Sequence, residues 1–157
     1  MQMDLTSLAS PTRRTDSEFS ALIPDGWQQG RGAFGGLVLG LMARAMEQVV
    51  ADAERPLRTL TATLCGPTLP GEAALVVEAL RAGTGVTTLA CRLLQGGEVQ
   101  AHAVAVFGKE RASGLGWCEL QRPEAPAWDA LEATEIAPPL GPPLRPTSSS
   151  GWRSTFR

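Results

Sequence analysis

The apolar residues between positions 35 and 53 recur at the three- and four-residue intervals of an α-helix. Polar residues occupy another face, and the first half of the segment, LVLGLM from residue 37, is apolar on every face. A helix with this pattern is buried on all sides at its start. We therefore predict one long helix from residue 35 to about residue 53. Its predicted core face comprises Val38, Met42, Ala45, Met46 and Val49.

The rest of the patterned region predicts antiparallel strands and no second long helix. Residues 57–65 alternate between apolar side chains and threonines, which is the period of a strand with two different faces. The pair Gly96 and Gly97 forms a two-residue hairpin connection, because both positions tolerate positive φ. A short strand precedes the helix and four follow it, so the sheet has about five strands. The predicted strands cover residues 19–23, 57–65, 73–81, 86–95 and 98–107.

One strand, one buried helix and four antiparallel strands is the element order of the hotdog fold. This is an α+β fold in which a curved antiparallel sheet wraps a long central helix, and the wrapping explains a helix that is apolar all round. We place the hotdog domain at residues 19–110, after an N-terminal segment, 1–18. Residues 111–157 are rich in proline, with a serine run, and are predicted to form a linker or tail.

Composition and charge narrow the possible partners. A net charge of −2 gives no electrostatic case for nucleic acid or an anionic membrane. No apolar run reaches the roughly 20 residues that span a bilayer. Residues 1–20 lack the apolar centre of a signal peptide, so we expect a cytoplasmic protein. Cys65, Cys91 and Cys118 share no metal-ligand spacing, and we expect buried reduced thiols, with no metal and no cofactor.

The glycine-rich stretch GRGAFGG, residues 30–36, carries the clearest chemical signal. Gly35 and Gly36 fall at the helix start, where the first amides have no intrahelical partner and carry partial positive charge. Without Cβ atoms they let a ligand carbonyl come close, and an oxyanion formed on attack would be stabilised there. The alternative is that these glycines allow close packing against the sheet, as Gly40 would one turn later.

The same stretch matches the dinucleotide fingerprint G-x-G-x-x-G, with Asp52 about twenty residues further on. The context argues against that site. The residues before it are polar, unlike a buried parallel strand, and the later strands alternate with turns instead of helices. We therefore reject a Rossmann site.

Three segments resemble the type II, double-hotdog acyl-CoA thioesterases, above all their first repeat. They are DGWQQGRGAFGGLVL at 25–39, CGPTLPG at 65–71 and LRAGTGVTT at 80–88. The resemblance runs from about residue 19 to 108 and implies a domain that hydrolyses or binds fatty acyl-CoA or a related thioester. The open edges of a lone hotdog sheet also predict a homo-oligomer, either a dimer or a tetramer built from dimers.

In that family a catalytic Asp, a Ser or Thr and a Gln lie in the second repeat. The matching positions here hold Ala43 or Arg44, Leu57, and Val106, none of which can activate water. Glu47 comes too late in the helix to replace the Asp. Three hypotheses stay open: a thioesterase whose carboxylate comes from elsewhere, an acyl-CoA-binding domain without turnover, and a structural half-domain lacking the second repeat.

The predicted site lies around the helix start. The Gly36 amide is the predicted oxyanion donor, and Asp25 either reaches the substrate or simply forms a turn. His102 is expected to have a structural or surface role, and a hotdog dehydratase is the minor alternative. The predicted substrate-binding residues are Asp25, Trp27, Phe34, Gly35, Gly36 and Leu37. The open candidates for the coenzyme phosphates are Arg13, Arg14, Arg31, Arg58, Arg81 and Arg92.

Overall fold

The computed structural model describes residues 5–112, 119–121, 123–127 and 130–131. One long helix packs against a curved, six-stranded antiparallel sheet. This confirms the predicted α+β hotdog fold. Most of the predicted tail, and Cys118 within it, lies outside the described residues.

The described elements are α1 (Leu5–Leu8), β1 (Thr12–Arg13), β2 (Glu18–Ile23), β3 (Gln28–Gln29), β4 (Gly32–Ala33), α2 (Gly35–Val50), β5 (Leu57–Leu64), β6 (Gly71–Ala82), β7 (Val86–Gln95) and β8 (Glu98–Gly108). The order is β1-β2-β6-β7-β8-β5, and all neighbours are antiparallel. A separate two-stranded hairpin, β3–β4, precedes the long helix. Within the six-stranded sheet, β2 and β5 therefore lie on opposite sides of the β6–β7–β8 meander.

The five predicted strands are all present, with ends that differ by no more than two residues. The sequence did not predict β1, β3 or β4. Each of these has only two residues, which is too short to show an alternation of apolar and polar side chains.

The long helix α2 ends at Val50, so the predicted end at residue 53 was wrong. Ala51 adopts the left-handed conformation, with φ 47°, and its amide donates to the Glu47 carbonyl oxygen over 2.9 Å. Such a residue closes a helix at its C-terminus. Asp52 then turns the chain, because its Oδ1 accepts a hydrogen bond from the Glu54 amide at 3.0 Å.

The core lies between α2 and the inner face of the sheet. Within the segment LVLGLM, residues 37–42, Leu39 and Gly40 keep partial exposure and the other four residues are buried. Ala9, after α1, lies over Gly40, whose missing Cβ would stand 3.4 Å from the Ala9 Cβ. The prediction of an enclosed helix start therefore holds for most of its positions. The buried residues of α2 are Leu37, Val38, Leu41, Met42, Ala45 and Met46.

Arg55 ties the loop after α2 to the turn between β6 and β7. Its Nη1 donates to the Gly83 carbonyl oxygen at 3.0 Å and to the buried Thr87 hydroxyl at 2.6 Å. Its Nη2 donates to the Thr84 carbonyl oxygen at 2.9 Å. These three hydrogen bonds join the loop after α2 to the β6–β7 turn, and Nε lies 3.0 Å from Asp52 Oδ2.

Lys109, just after β8, reaches the same loop. Its Nζ donates to Glu54 Oε2 at 2.8 Å and lies 3.7 Å from Asp52 Oδ2. The Glu54 amide, Lys109 and Arg55 together lower the pKa of Asp52 from its usual 3.8. The hydrogen bond to Glu54 and the nearby carboxylate of Asp52 raise the pKa of Lys109.

Candidate functional site

The start of α2 presents two backbone amides that donate to no acceptor among the described residues. Phe34 precedes the helix, and its carbonyl oxygen accepts from the amides of Leu37 at 3.0 Å and Val38 at 3.3 Å. No side chain caps the helix. Across the described ranges, the amides of Gly35 and Gly36 meet no acceptor. They are therefore available to a ligand oxygen at the positive end of the helix.

A short hairpin leads into this helix start. The β3–β4 hairpin is closed at its base, where the Phe34 amide donates to the Trp27 carbonyl oxygen at 2.7 Å. Beside it, the Ala33 amide donates to the Thr68 carbonyl oxygen, also at 2.7 Å. A Cβ on Gly32 would stand only 3.0 Å from Pro67 Cα. The glycine loop and the 65–71 turn, which are separate in sequence, therefore share one rigid contact.

Two glutamines hold the 65–71 turn against the end of the sheet. The Gln100 carbonyl oxygen accepts from the amides of Cys65 at 2.8 Å and Gly66 at 3.0 Å. The Gln95 side chain pairs with both backbone groups of Leu69, each at 2.8 Å. Hydrogen bonds from Gln95 in β7 and Gln100 in β8 thus fix the 65–71 turn, which contacts the glycine loop. Residue patterns in the sequence do not report such backbone contacts.

The glycines at the helix start also allow close packing. A Cβ on Gly36 would overlap the ring of Phe34, whose Cζ would be 2.8 Å away. A Cβ on Gly35 would stand 3.3 Å from Leu64 Cδ1. The packing account therefore has direct geometric support at Gly32, Gly35 and Gly36. It does not exclude ligand access, because Gly36 itself is exposed.

The other predicted binding residues differ in their surroundings. Asp25 is exposed, and its Oδ1 accepts a 2.9 Å hydrogen bond from the Gly26 amide, as in a turn. Trp27 is half-buried against the core. Phe34 is 41% exposed beside the free amides. Leu37 is fully buried, so packing alone explains its side chain.

The positions that match the family's catalytic residues supply no base here. Ala43 and Leu57 are half-buried, as is Val106. The only carboxylate of α2, Glu47, is exposed and pairs with Arg44 at 3.1 Å. Hydrolysis at the helix start therefore lacks a general base from α2 itself.

His102 lies on the outer face of the sheet, the face turned away from α2. Its neighbours in β8, Ala101 and Ala103, are fully buried and face the helix. Because side chains alternate along a strand, His102 points the other way. It lines a shallow groove of about 230 Å³ together with Glu78 and Arg92. This placement agrees with the structural or surface role and disagrees with the dehydratase alternative.

The two described cysteines differ. Cys91 is buried, and burial raises the pKa of its thiol to about 12. Cys65 is exposed, so the prediction of a buried thiol was wrong at that position. The reason is that Cys65 follows an edge strand whose outer side chains face solvent. Among the described residues, no cluster of His, Cys, Asp or Glu has the arrangement of a metal site.

The comparison with protein families decides the relationship. The family described as "Acyl-CoA thioesterase N-terminal domain" matches residues 23–108, more than half of the chain. The chain belongs to this family. No match was found among curated proteins. No helix in the described part of this thioesterase-family domain is long and apolar enough to cross a membrane.

Solved structures agree with the fold of this thioesterase-family domain. A hotdog-fold protein from Alicyclobacillus acidocaldarius is 20% identical, with a TM-score of 0.73 over 89% of this chain and 52% of its own. The acyl-CoA thioesterase II TesB2 from Mycobacterium marinum is 19% identical, with a TM-score of 0.69 over 83% of this chain and 48% of its own. The chain spans about half the length of these structures.

Proposed function

We propose that this domain binds fatty acyl-CoA thioesters at the start of α2. In this proposal the thioester carbonyl oxygen accepts a hydrogen bond from the Gly36 amide, with Gly35 beside it. The observation that carries the proposal is the pair of amides without acceptors in the described protein. Helix amides at such a position stabilise negative charge that develops on a carbonyl oxygen.

Exposed apolar side chains near these amides support an acyl ligand. Phe34 is 41% exposed and Leu64 is 55% exposed, and Leu64 lies next to Gly35. Leu69 is 52% exposed and follows Thr68, which holds the hairpin. An alkyl chain that covers these three side chains would remove apolar surface from water, which favours binding.

We propose that turnover depends on a second polypeptide surface. A thioesterase needs a group that activates water, and the carboxylate of Glu47 is already engaged by Arg44. The required side chain would come from a second copy or from a second repeat. Binding without turnover is the alternative for the isolated chain, and a purely structural half-domain is the weakest of the three, because it gives the free amides no role.

We also propose that the chain forms a homodimer through β5. Among the described residues this eight-residue strand has only β8 as a neighbour, so one side of its backbone is open. Open edges of this length favour pairing with another strand. Leu64 ends β5 beside Gly35, so a partner on this edge would stand close to the helix start. A symmetric pair would place two sites along one interface.

The free cysteines support a cytoplasmic location for this activity. Cys91 and the exposed Cys65 both carry free thiols. Such thiols persist most readily in a reducing compartment.

The direct test combines a binding titration with a hydrolysis assay. S-alkyl-coenzyme A thioethers, which cannot be hydrolysed, are titrated into the protein over several alkyl lengths, and the matching acyl-CoA esters are assayed for released thiol. We expect binding that strengthens with alkyl length. Hydrolysis together with binding identifies a thioesterase, whereas binding alone identifies a non-catalytic domain. Absence of both would overturn the proposed function and leave the structural half-domain.

A further inference from the structure

Coenzyme A carries phosphate groups, and a site for its thioesters needs positive charge within reach of the helix start. Ten Lys and Arg side chains belong to the described residues, and most of them either bind other groups of the protein or lie far from the helix start. Arg55, Arg58 and Lys109 lie at the far end of α2, where each donates to a carbonyl or carboxylate oxygen. The helix α2 has 16 residues and is about 24 Å long, and its start lies at the opposite end from these side chains.

Other arginines are held by the protein itself. Arg13 donates to three backbone carbonyl oxygens and lies 5.7 Å from the ring centre of Phe19. Arg14 donates to the Ser20 hydroxyl at 2.8 Å, and Arg44 pairs with Glu47. A phosphate would have to compete with these contacts.

The remaining arginines, which have no hydrogen bond or ion pair to the described residues, differ in where they lie. Arg92 faces outward from the middle of β7, on the side of the sheet away from α2. Arg81 lies near the end of β6, opposite Thr88, and Arg111 follows Lys109. All three are separated from the glycine loop by the sheet or by the length of the helix.

Among the ten described cations, Arg31 alone combines an open side chain with proximity to the free amides. It lies at the exposed tip of the β3–β4 hairpin, and no hydrogen bond or ion pair involves it within the described chain. Five residues separate it from Gly36, so its Cα lies within roughly 17 Å of that residue even along an extended path. Gly30 gives the tip its turn, with φ 72°.

The base of this hairpin is rigid although its tip is exposed. Ala33 bonds to Thr68, Phe34 bonds to Trp27, and Gly32 packs on the backbone of Pro67. The hairpin therefore holds the Arg31 Cα in a fixed relation to the helix start. A long cationic side chain on a fixed base is a suitable contact for phosphate, because guanidinium donates paired hydrogen bonds to phosphate oxygens.

We propose that Arg31 binds a phosphate group of the coenzyme A moiety when the thioester lies at the Gly36 amide. The proposal rests on the proposed function and assigns one specific contact within it. It divides the ligand into a thioester end, held by backbone amides, and a phosphate end, held by the hairpin tip. The contact is electrostatic, so it weakens as ionic strength rises.

The test measures the affinity of two ligands for three proteins. The ligands are S-decyl-coenzyme A and S-decylpantetheine, which keeps the thioether and alkyl chain but carries no phosphate. The proteins are wild type, Arg31→Gln and Arg92→Gln, the last being a matched control in which an exposed, unpartnered arginine is removed from the outer face. Thermal unfolding of each variant checks that the fold is unchanged.

We expect Arg31→Gln to weaken S-decyl-coenzyme A binding by roughly fivefold to tenfold at low salt and to leave S-decylpantetheine binding unchanged. Arg92→Gln should change neither affinity. Equal affinity of wild type and Arg31→Gln for S-decyl-coenzyme A would overturn the Arg31 assignment alone. An equal loss for both ligands would also overturn it, since the hairpin would then act without regard to phosphate. Failure of the wild type to bind either ligand would overturn the proposed function, and this inference with it.

Discussion

The ring of Phe34 occupies the position where a side chain at Gly36 would begin. A Cβ on Gly36 would stand 2.8 Å from Phe34 Cζ, and nearer still to another ring atom. The second glycine of the pair is thus required by a residue two positions earlier in the sequence, unless the ring moves. The same ring is 41% exposed, so it has room to swing outward. The missing Cβ of Gly36 therefore has two explanations: it leaves room for the Phe34 ring, or it leaves the Gly36 amide open to a ligand.

Substitution of Gly36 in two backgrounds separates these roles. Gly36→Val in the wild type must displace the Phe34 ring, whereas Gly36→Val together with Phe34→Ala meets no ring. If the glycine serves ligand access, S-decyl-coenzyme A binding falls at least about tenfold on adding Gly36→Val in both backgrounds, because the valine covers the amide.

The single variant Phe34→Ala is the control, and its unfolding temperature and affinity set the baseline for the pair. If Gly36→Val weakens binding only when the Phe34 ring is present, the glycine is needed to accommodate that ring and not to admit the ligand. Gly36→Val and Phe34→Ala should each change the free energy of unfolding by no more than about 1 kcal/mol, since the ring is partly exposed and the helix start is near solvent.

The two described thiols should differ strongly in reactivity. Burial raises the pKa of Cys91 to about 12, whereas Cys65 is exposed. At pH 8 in native conditions, iodoacetamide should modify Cys65 at least about 100-fold faster than Cys91, because only the thiolate reacts and Cys91 is also inaccessible. Peptide mapping by mass spectrometry distinguishes the sites. Comparable labelling of both in the folded protein would contradict the burial of Cys91, and labelling after unfolding provides the control.

The loop after α2 predicts a specific pH dependence. The Glu54 amide, Lys109 and Arg55 lower the pKa of Asp52 below 3.8, so its carboxylate stabilises the fold above that pH. This contribution is lost as the pH falls through the lowered pKa. Asp52→Asn should reduce the unfolding temperature by roughly 1–3 °C at pH 7, and the difference should close below pH 3.8.

Asp16→Asn is the matched control for that measurement. Asp16 makes one exposed ion pair with Arg13, at 3.9 Å, and its removal should leave the unfolding temperature unchanged. A difference for Asp52→Asn that stays constant down to pH 2 would show that the carboxylate charge is not responsible.

The dimer proposal predicts that a charge in the middle of β5 disrupts assembly. Thr61 is exposed near the centre of this edge strand, so two lysines there would face each other across a symmetric β5–β5 contact. Thr61→Lys should raise the dimer dissociation constant at least about tenfold, measured by light scattering over a dilution series. The control Thr84→Lys lies in the turn between β6 and β7, outside β5, and should leave the dimer dissociation constant unchanged. A wild-type protein that is monomeric at micromolar concentration would refute the dimer itself.

The fold was largely predictable because its main elements are long enough to carry a period. The 16 residues of α2 and the 10 residues of β7 show their burial pattern directly in the sequence. The two-residue strands β1, β3 and β4 show none. The predicted end of α2 was wrong because Ala51 takes a left-handed conformation that an alanine rarely adopts.

The candidate site was predictable only in part. A double glycine before an apolar helix indicates exposed amides, and Gly35 and Gly36 do lack acceptors in the described chain. The contact between Ala33 and Thr68 joins backbone groups, which every residue carries, so no pattern of side chains reports it. The position of the Phe34 ring depends on a side-chain rotamer, which the order of residues does not specify.

The sheet order has a consequence for how the chain is made. The edge strand β5 ends at Leu64, but its only described neighbour, β8, begins at Glu98. During synthesis from the N-terminus, β5 therefore cannot pair with β8 until the whole β6–β7–β8 meander has been synthesised. The meander consists of hairpins between consecutive strands, and its contacts form early because they are local in sequence. Ribosome stalling before β8 would leave the apolar helix start without the strand that closes the sheet, and we expect chaperone binding to concentrate in that window.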